Sequence, residues 1–531
     1  MTPGETGGAE YLEKYIIFED MSKINFFSAM LLLAAAVSCG RDYITYEDFG
    51  AKGDGRHDDT PAIVAAHEAA NEKGLPVKAR DGATYYMEAG RQTAIIRTDT
   101  DWGKAKFIID DTAVQLDTAA YPDGFRVPVF RVESAMEPYE IEGLEGGLKK
   151  GQKSLGVKLP CRSLVRLEND THRVYIRKGE NQNNGVPQQE MLVADADGNV
   201  EETSAIIWDY DRITKATAWP IDTMLLTVRG GIFTTIANQA PAEYLYYVRG
   251  IVINRSNVCI DGLTHYVEGE LEDHGAPYYA FVWPIEAADV TVKNCLLTPH
   301  RTYWTIGSAG IPARMGSYDL GANSCVNVRW EDISQTIDID DLTYWGLYTS
   351  NHCKNLSMER CRISRFDAHM GVENVTLKDC VFGHMGMRCV GFGRLYMENC
   401  EVHYNSFILL REDYGASWDG EMIIKDCVHK PYFGTPALTV IDGANNGDHD
   451  FGYTCRLPRS IEIHNLLLDD TWCEATDPAF LFGTFARDAH ARGLQPYPAE
   501  GTILLDNVRT LSTKPIGLSA NPALFAGYTV R

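Results

Sequence analysis

Leu356-Ser-Met-Glu-Arg-Cys361, Val375-Thr-Leu-Lys-Asp-Cys380, Leu395-Tyr-Met-Glu-Asn-Cys400 and Met422-Ile-Ile-Lys-Asp-Cys427 are four copies of one phrase. Each alternates apolar and polar residues and ends in a small apolar one. Looser copies precede them at Val258-Cys-Ile-Asp-Gly-Leu263, Val290-Thr-Val-Lys-Asn-Cys295 and Val328-Arg-Trp-Glu-Asp-Ile333, and follow at Ile461-Glu-Ile-His-Asn-Leu466 and Ile503-Leu-Leu-Asp-Asn-Val508. Period-two alternation is the mark of a strand with one buried face, and its recurrence every 19 to 42 residues is that of stacked coils with loops of unequal length.

The tightest steps, Cys361 to Cys380 and Cys380 to Cys400, leave no room for a helix within a coil. This selects a parallel β-helix over leucine-rich or helical repeats. Strands of successive coils pair about 4.8 Å apart, so equal offsets should form ladders. Cys295, Cys361, Cys380, Cys400 and Cys427 are expected to be an inward ladder of small buried hydrophobes. The remaining cysteines have no spacing that names disulfide partners.

The chain of 531 residues carries a net charge of −24. Such a charge excludes a nucleic-acid partner, whose phosphates need a basic face. It also repels a polyanion unless basic groups gather at the site. From Met21 a basic start, a short apolar run and the end Ala36-Val37-Ser38-Cys39 make a secretory signal of the lipoprotein type. Cys39 would then be lipidated, and residues 1–20 are expected to be an upstream start-site artefact. The expected mature unit is 40–531, an exported lipoprotein on the outer membrane or cell surface, or facing the periplasm.

After the signal, Tyr46-Glu-Asp-Phe-Gly-Ala-Lys-Gly-Asp-Gly-Arg-His-Asp-Asp-Thr60-Pro61 leads into Ala62–Ala70, where Ile63, Ala66, His67 and Ala70 share a helical face. Thr60 is expected as N-cap with Pro61 in the first helical position. This stretch resembles the opening of the pectate-lyase-like superfamily. The resemblance implies an all-β, single-stranded right-handed parallel β-helix with an N-terminal capping helix, and a structural role for Asp58 and Asp59. Residues from about 100 to 220 repeat poorly and are expected to form a β-rich elaboration on the early coils.

On a solenoid the outward residues and flanking loops carry the ligand. Counted from the end of each phrase, Asp340 and Asp341 fall seven and eight after Ile333, Asp367 and His369 six and eight after Cys361, and Arg388 eight after Cys380. His384 and Tyr404 fall four after their cysteines. The loop from Arg411 includes Asp413 and Tyr414, and Tyr303 and Trp304 approach from upstream. Together these make a polar, aromatic row of roughly 15 to 20 Å, suited to a polysaccharide. His274 in Asp273–Tyr278 is a further candidate for binding it.

Two carboxylates on adjacent rungs can stand roughly 5 to 10 Å apart, the separation of glycoside hydrolysis. The expected pair is Asp341 and Asp367, with Asp340 as substitute for Asp341, His369 orienting the acid, and Arg388 and Arg411 holding an acidic sugar. The order of groups resembles the polygalacturonase branch of the superfamily. Where that branch has "NTD", "Gly-His-Gly" and "Arg-Ile-Lys", this chain has Asp338-Ile-Asp-Asp341, Gly383-His-Met-Gly386 and Leu410-Arg-Glu-Asp413. No motif implies a resident cofactor. Calcium is the one ion for which oxygen ligands cluster, at Asp338, Asp340 and Asp341, and it belongs to a second reading, a polysaccharide lyase. A third reading is a noncatalytic glycan-binding surface protein.

Overall fold

The computed structural model describes residues 41–531 except 89, 91, 115–126, 240–245, 272–277, 432–437, 472–478, 487, 489–491, 494–495 and 499. The signal segment with Cys39, and His274, lie outside the described residues. The hexapeptides stack in register: Val258 pairs with Val290, then Val328, Leu356, Val375, Leu395, Met422, Ile461 and Ile503, all parallel. They belong to a sheet of 32 strands that winds through the described residues from Ile44–Thr45 to Tyr528–Val530 as a parallel β-helix. Their apolar positions fill one continuous core.

The five ladder cysteines are buried free thiols. Each Sγ lies 3.0–3.4 Å from the carbonyl oxygen two residues before it, as in Cys427 to Lys425 and Cys361 to Glu359. The fifth residue of the phrase turns the corner. Asn294, Asp332, Arg360, Asp379, Asn399, Asp426, Asn465 and Asn507 all have φ between 52° and 55°, the left-handed region that Asn, Asp and Gly tolerate best. Their amides also bond rung to rung, for example Asn465 to Asp426 at 2.7 Å and Asn507 to Asn465 at 2.9 Å.

The helix Thr60–Lys73 covers the first coil, burying Ile63, Ala66, His67 and Ala70. Its N-cap is Asp59, one residue before the expected Thr60. The Asp59 carboxylate does not cap the helix but accepts from the amides of Lys52 (2.6 Å) and Gly53 (3.0 Å), folding the glycine-rich approach around itself. Among the described residues no helix is long and apolar enough to cross a membrane.

Thr100–Asp110 and Phe130–Glu133 pair within the main sheet. The separate sheet begins only at Tyr139. Its strands Tyr139–Glu140, Ser163–Val174, Val186–Ala194 and Lys215–Pro220 are antiparallel, with Ser163–Val174 between Val186–Ala194 and Lys215–Pro220. It has its own core, including Leu148, Leu167, Leu192 and Tyr210. Buried ion pairs fasten it to the coils: Arg166 to Glu286 at 2.5 Å, and Lys354 to Glu190 at 2.6 Å and Glu373 at 3.1 Å.

Candidate functional site

Short ladder positions such as Ser334–Gln335 and Glu401–Val402 follow the corner after the hexapeptides, and the sheet beyond them is the third of the coil. Here Tyr348, Phe366 and Met387 are register partners, and so are Thr349, Asp367, Arg388 and, one coil on, Leu409. Phe366 and Ala368 point into the core, so Asp367 between them points outward. Asp341 is absent from this ladder. The chain takes 15 residues from Ile333 to Tyr348 but 5 from Cys361 to Phe366, so the offset of eight places Asp341 in a turn ahead of the strand. The rung equivalent of Asp367 is Thr349.

Asp367 is wholly buried, yet its oxygens meet side chains instead of main chain. It is ion-paired to Arg365, and Arg411 Nη1 donates to Oδ1 at 2.5 Å. The Tyr318 hydroxyl donates to Oδ2 at 2.8 Å, and His369 Nε2 stands 2.9 Å from the same oxygen. Burial pushes this carboxyl up, but Arg365 and Arg411 overcome it and hold Asp367 well below the usual range. Arg411 also grips Asp413 through Nη2 (2.6 Å) and Nε (3.0 Å), and Arg177 Nε reaches Asp413 at 2.9 Å. Burial opposes ionisation of Asp413 too, and Arg411 and Arg177 likewise keep it ionised. Tyr414 is buried beneath the guanidiniums of Arg177 and Arg411.

His369 is the extra residue of a β-bulge between the Ala368 and Met370 pairings, which re-aims its ring toward Asp367. The ring keeps 24% exposure. Burial lowers its pKa to about 4, against the opposing pull of Asp367. With Nε2–H donated to Asp367, Nδ1 carries the lone pair. On the next rung Arg388 is half-buried, its guanidinium 4.9 Å from the Tyr404 ring and Nε donating to the Met385 carbonyl at 3.2 Å. Among the described residues no carboxylate pairs with it. Burial, followed by Arg365, lowers its pKa.

Asp341 and Asp367, the expected pair, therefore do not stand on one ladder. Asp341 Oδ1 accepts from the Thr343 amide at 2.9 Å and hydroxyl at 2.7 Å, as a turn cap. Its substitute Asp340 is buried against His403 Nδ1 at 2.9 Å. His384, expected to bind substrate, anchors the same turn from below, its ring nitrogens 2.9 Å and 3.1 Å from the Ile339 and Tyr344 carbonyl oxygens. Glycine is required in Gly383-His-Met-Gly386 for packing: a Cβ on Gly383 would strike the Ile339 oxygen, and one on Gly386, at φ +63°, the Tyr404 side chain. Asp338 Oδ1 accepts from the Asp340 amide. The three aspartates diverge, and among the described residues no group of His, Cys, Asp or Glu is arranged to hold a metal ion. Tyr303 is buried, whereas Trp304 stands 66% exposed on the hairpin Tyr303–Ile306 and Pro312–Met315. That hairpin leans on the 338–345 turn through Arg314, which donates to the Leu342 carbonyl at 2.7 Å.

Four site residues escaped the sequence reading. Arg365 lies two before Asp367 and so on the same outward face, a relation that strand alternation could have exposed. Its guanidinium lies 4.6 Å from the Trp345 ring and 5.5 Å from that of Tyr318. Tyr318, Trp345 and Arg177 come from loops and from the insertion, where no repeat sets an offset. Three guanidiniums thus pair with two carboxylates, and a fourth, Arg388, stands on the adjoining rung, in a strongly acidic protein. The site can hold an anion and present a neutral imidazole to it, but neither carboxylate is available as a proton donor.

No protein-family model matches the chain, and no curated protein matches it. Solved structures do. The tailspike of Pseudomonas phage phi297 is 10% identical, with 88% of this chain and 80% of that one covered and a TM-score of 0.49. The tailspike of Acinetobacter baumannii phage AP22, solved with capsular saccharide, is 11% identical over 90% and 77%, with a TM-score of 0.48. The exopolygalacturonase of Thermotoga maritima is 10% identical over 91% and 92%, with a TM-score of 0.32.

Proposed function

We propose that this protein binds an anionic polysaccharide at the Arg388–His369 face and cleaves it by β-elimination. The observation that carries the reading is Arg388: a half-buried guanidinium without a carboxylate partner among the described residues, on the rung beside a neutral histidine. A uronate carboxylate supplies the missing counter-ion, and neutralising it acidifies the adjacent carbon-bound proton. His369 Nδ1 then takes the C5 proton, the released electron pair forms the C4–C5 double bond, and the C4–O bond breaks. The departing oxygen is protonated from solvent. Hydrolysis by two carboxylates loses support because both local candidates are held ionised by arginines.

The test is incubation with polygalacturonate, alginate and glycosaminoglycan chains while following the ultraviolet absorbance of the unsaturated uronide. Absorbance growth in wild type, lost in His369→Gln, supports elimination. Reducing ends released without that absorbance would reinstate hydrolysis, and retention of polyuronate without turnover would leave a binding protein. Export and anchoring through lipidated Cys39 belong to the same proposal. They are tested by fatty-acid labelling of the full chain and its Cys39→Ala variant.

A further inference from the structure

The outer face of the hexapeptide sheet carries a groove of about 550 Å³ that the site above does not use. Its floor is the row Thr291, Arg329, Ser357 and Thr376, one residue per coil and consecutive in register. The row crosses about 15 Å at the interstrand spacing. Along one side runs an amide ladder: Asn327 donates to Asp289 at 2.8 Å, Asn355 to Asn327 at 2.8 Å, and Asn374 to Asn355 at 3.1 Å. Thr203 of the insertion helps to line the groove, and its carbonyl oxygen accepts from Asn355 at 2.8 Å.

The ladder asparagines spend their amides on one another, so that wall is rigid before any ligand arrives. The floor is the reverse: the Thr291, Ser357 and Thr376 hydroxyls and the Arg329 guanidinium make no hydrogen bond to the described residues. Donors and acceptors thus recur once per rung, at roughly the length of one pyranose ring. One formal charge is left over. Asp289 is engaged by Arg162 at 2.8 Å, and Arg329 is the sole cation of a floor otherwise made of neutral hydroxyls. Arg388, by contrast, stands within the field of two further guanidiniums, Arg365 and Arg411. The floor offers no broad apolar surface for a protein partner, and one cation is too few for a polyanion.

We propose that this groove is a second saccharide site, taking a neutral, hydroxyl-rich stretch of glycan chain across about three rungs. It acts on a coil face different from that of His369 and independently of it. Preorganised walls lower the ordering cost of binding, which suits a site that holds a chain by many modest contacts.

The test is titration of the full chain with neutral xylan, galactan, mannan and β-glucan hexasaccharides in parallel with oligouronates. Ser357→Trp fills the groove at an outward position, and Arg329→Ala removes its cation without adding bulk. The expected result is that at least one neutral hexasaccharide binds wild type and Arg388→Ala alike, and that both groove variants weaken it about tenfold or more. Oligouronate turnover should stay at the wild-type level in both. Failure of every neutral hexasaccharide to bind, or binding unchanged in both groove variants, overturns the proposal. The oligouronate arm reports separately on the Arg388 face, so failure of either site is recognised without the other.

Discussion

Asp367 is an ion by construction. Two guanidiniums and a phenol converge on a carboxylate with no solvent exposure, so its role is to hold Arg365, Arg411 and the His369 ring in place. Asp367→Asn keeps the shape and removes the charge, leaving Arg365 buried without its anion. A loss of about 3–5 kcal/mol in denaturant unfolding is expected. Arg365→Met added to Asp367→Asn should recover part of it, since the orphaned cation goes too. An Asp367→Asn protein as stable as wild type would mean that the arginines find other partners. His369 sets the pH behaviour. Its pKa lies at about 4 instead of the usual 6.5, so the ring stays neutral, and able to accept a proton, across that interval. With His369 as the proposed base, the acid limb of kcat/KM is therefore expected near pH 4, with activity falling as pH drops through it. A limb near 6.5 would show a ring that does not feel this burial, and His369→Gln should abolish turnover at every pH.

The coil corners were only half legible in the sequence. Alternation gave away the strands and the inward cysteines, because a residue's face on a strand depends only on parity. The Asn or Asp before four of the five ladder cysteines was nearly as regular, and its cause is backbone conformation: the chain turns there with φ near 53°, where a β-carbon is costly except on residues that tolerate the left-handed region. Asn399→Val should accordingly cost about 1–2 kcal/mol. Arg360 holds the same corner at φ 52°, and Arg360→Asn should leave stability level or slightly higher, the exposed pair with Asp332 being worth at most about 1 kcal/mol. Paired denaturation midpoints decide it, and equal losses in both variants would refute the corner argument. The site was less legible for a related reason. Offsets counted from the phrase hold only where successive connections match in length. Arg388, at offset eight, pairs with Asp367, at offset six, because the later coil has two extra residues between the Ile363 and Arg365 pairings, and Asp341 was carried into a turn. Gly383-His-Met-Gly386 looked like site chemistry but is there for close approach of the turn, which residue types alone do not distinguish.

At the scale of the whole molecule the insertion joins the two faces. Its sheet is fastened at Lys354, whose ammonium is buried between Glu190 and Glu373 and bonds the Ala205 carbonyl at 2.6 Å. From that anchor the insertion sends Arg177 to Asp413 beside the proposed anionic-sugar site and sets Thr203 beside the groove. Removing the cation leaves two buried carboxylates facing each other, and Lys354→Met should cost about 3–5 kcal/mol. The cost falls on docking more than on the solenoid, whose ladders do not pass through Lys354's side chain. Limited proteolysis of Lys354→Met is therefore expected to cut within 139–220 well before the coils. Polyuronate turnover should fall with it, although the substitution touches no group at the Arg388 face. Glu190→Met added to Lys354→Met removes one of the stranded charges, and should restore part of both protease resistance and turnover. Cleavage spread evenly along the chain would mean that Lys354 supports the solenoid itself. Turnover kept at the wild-type level in a protein already nicked in the insertion would show that Arg177 is not needed to position Asp413 and Arg411.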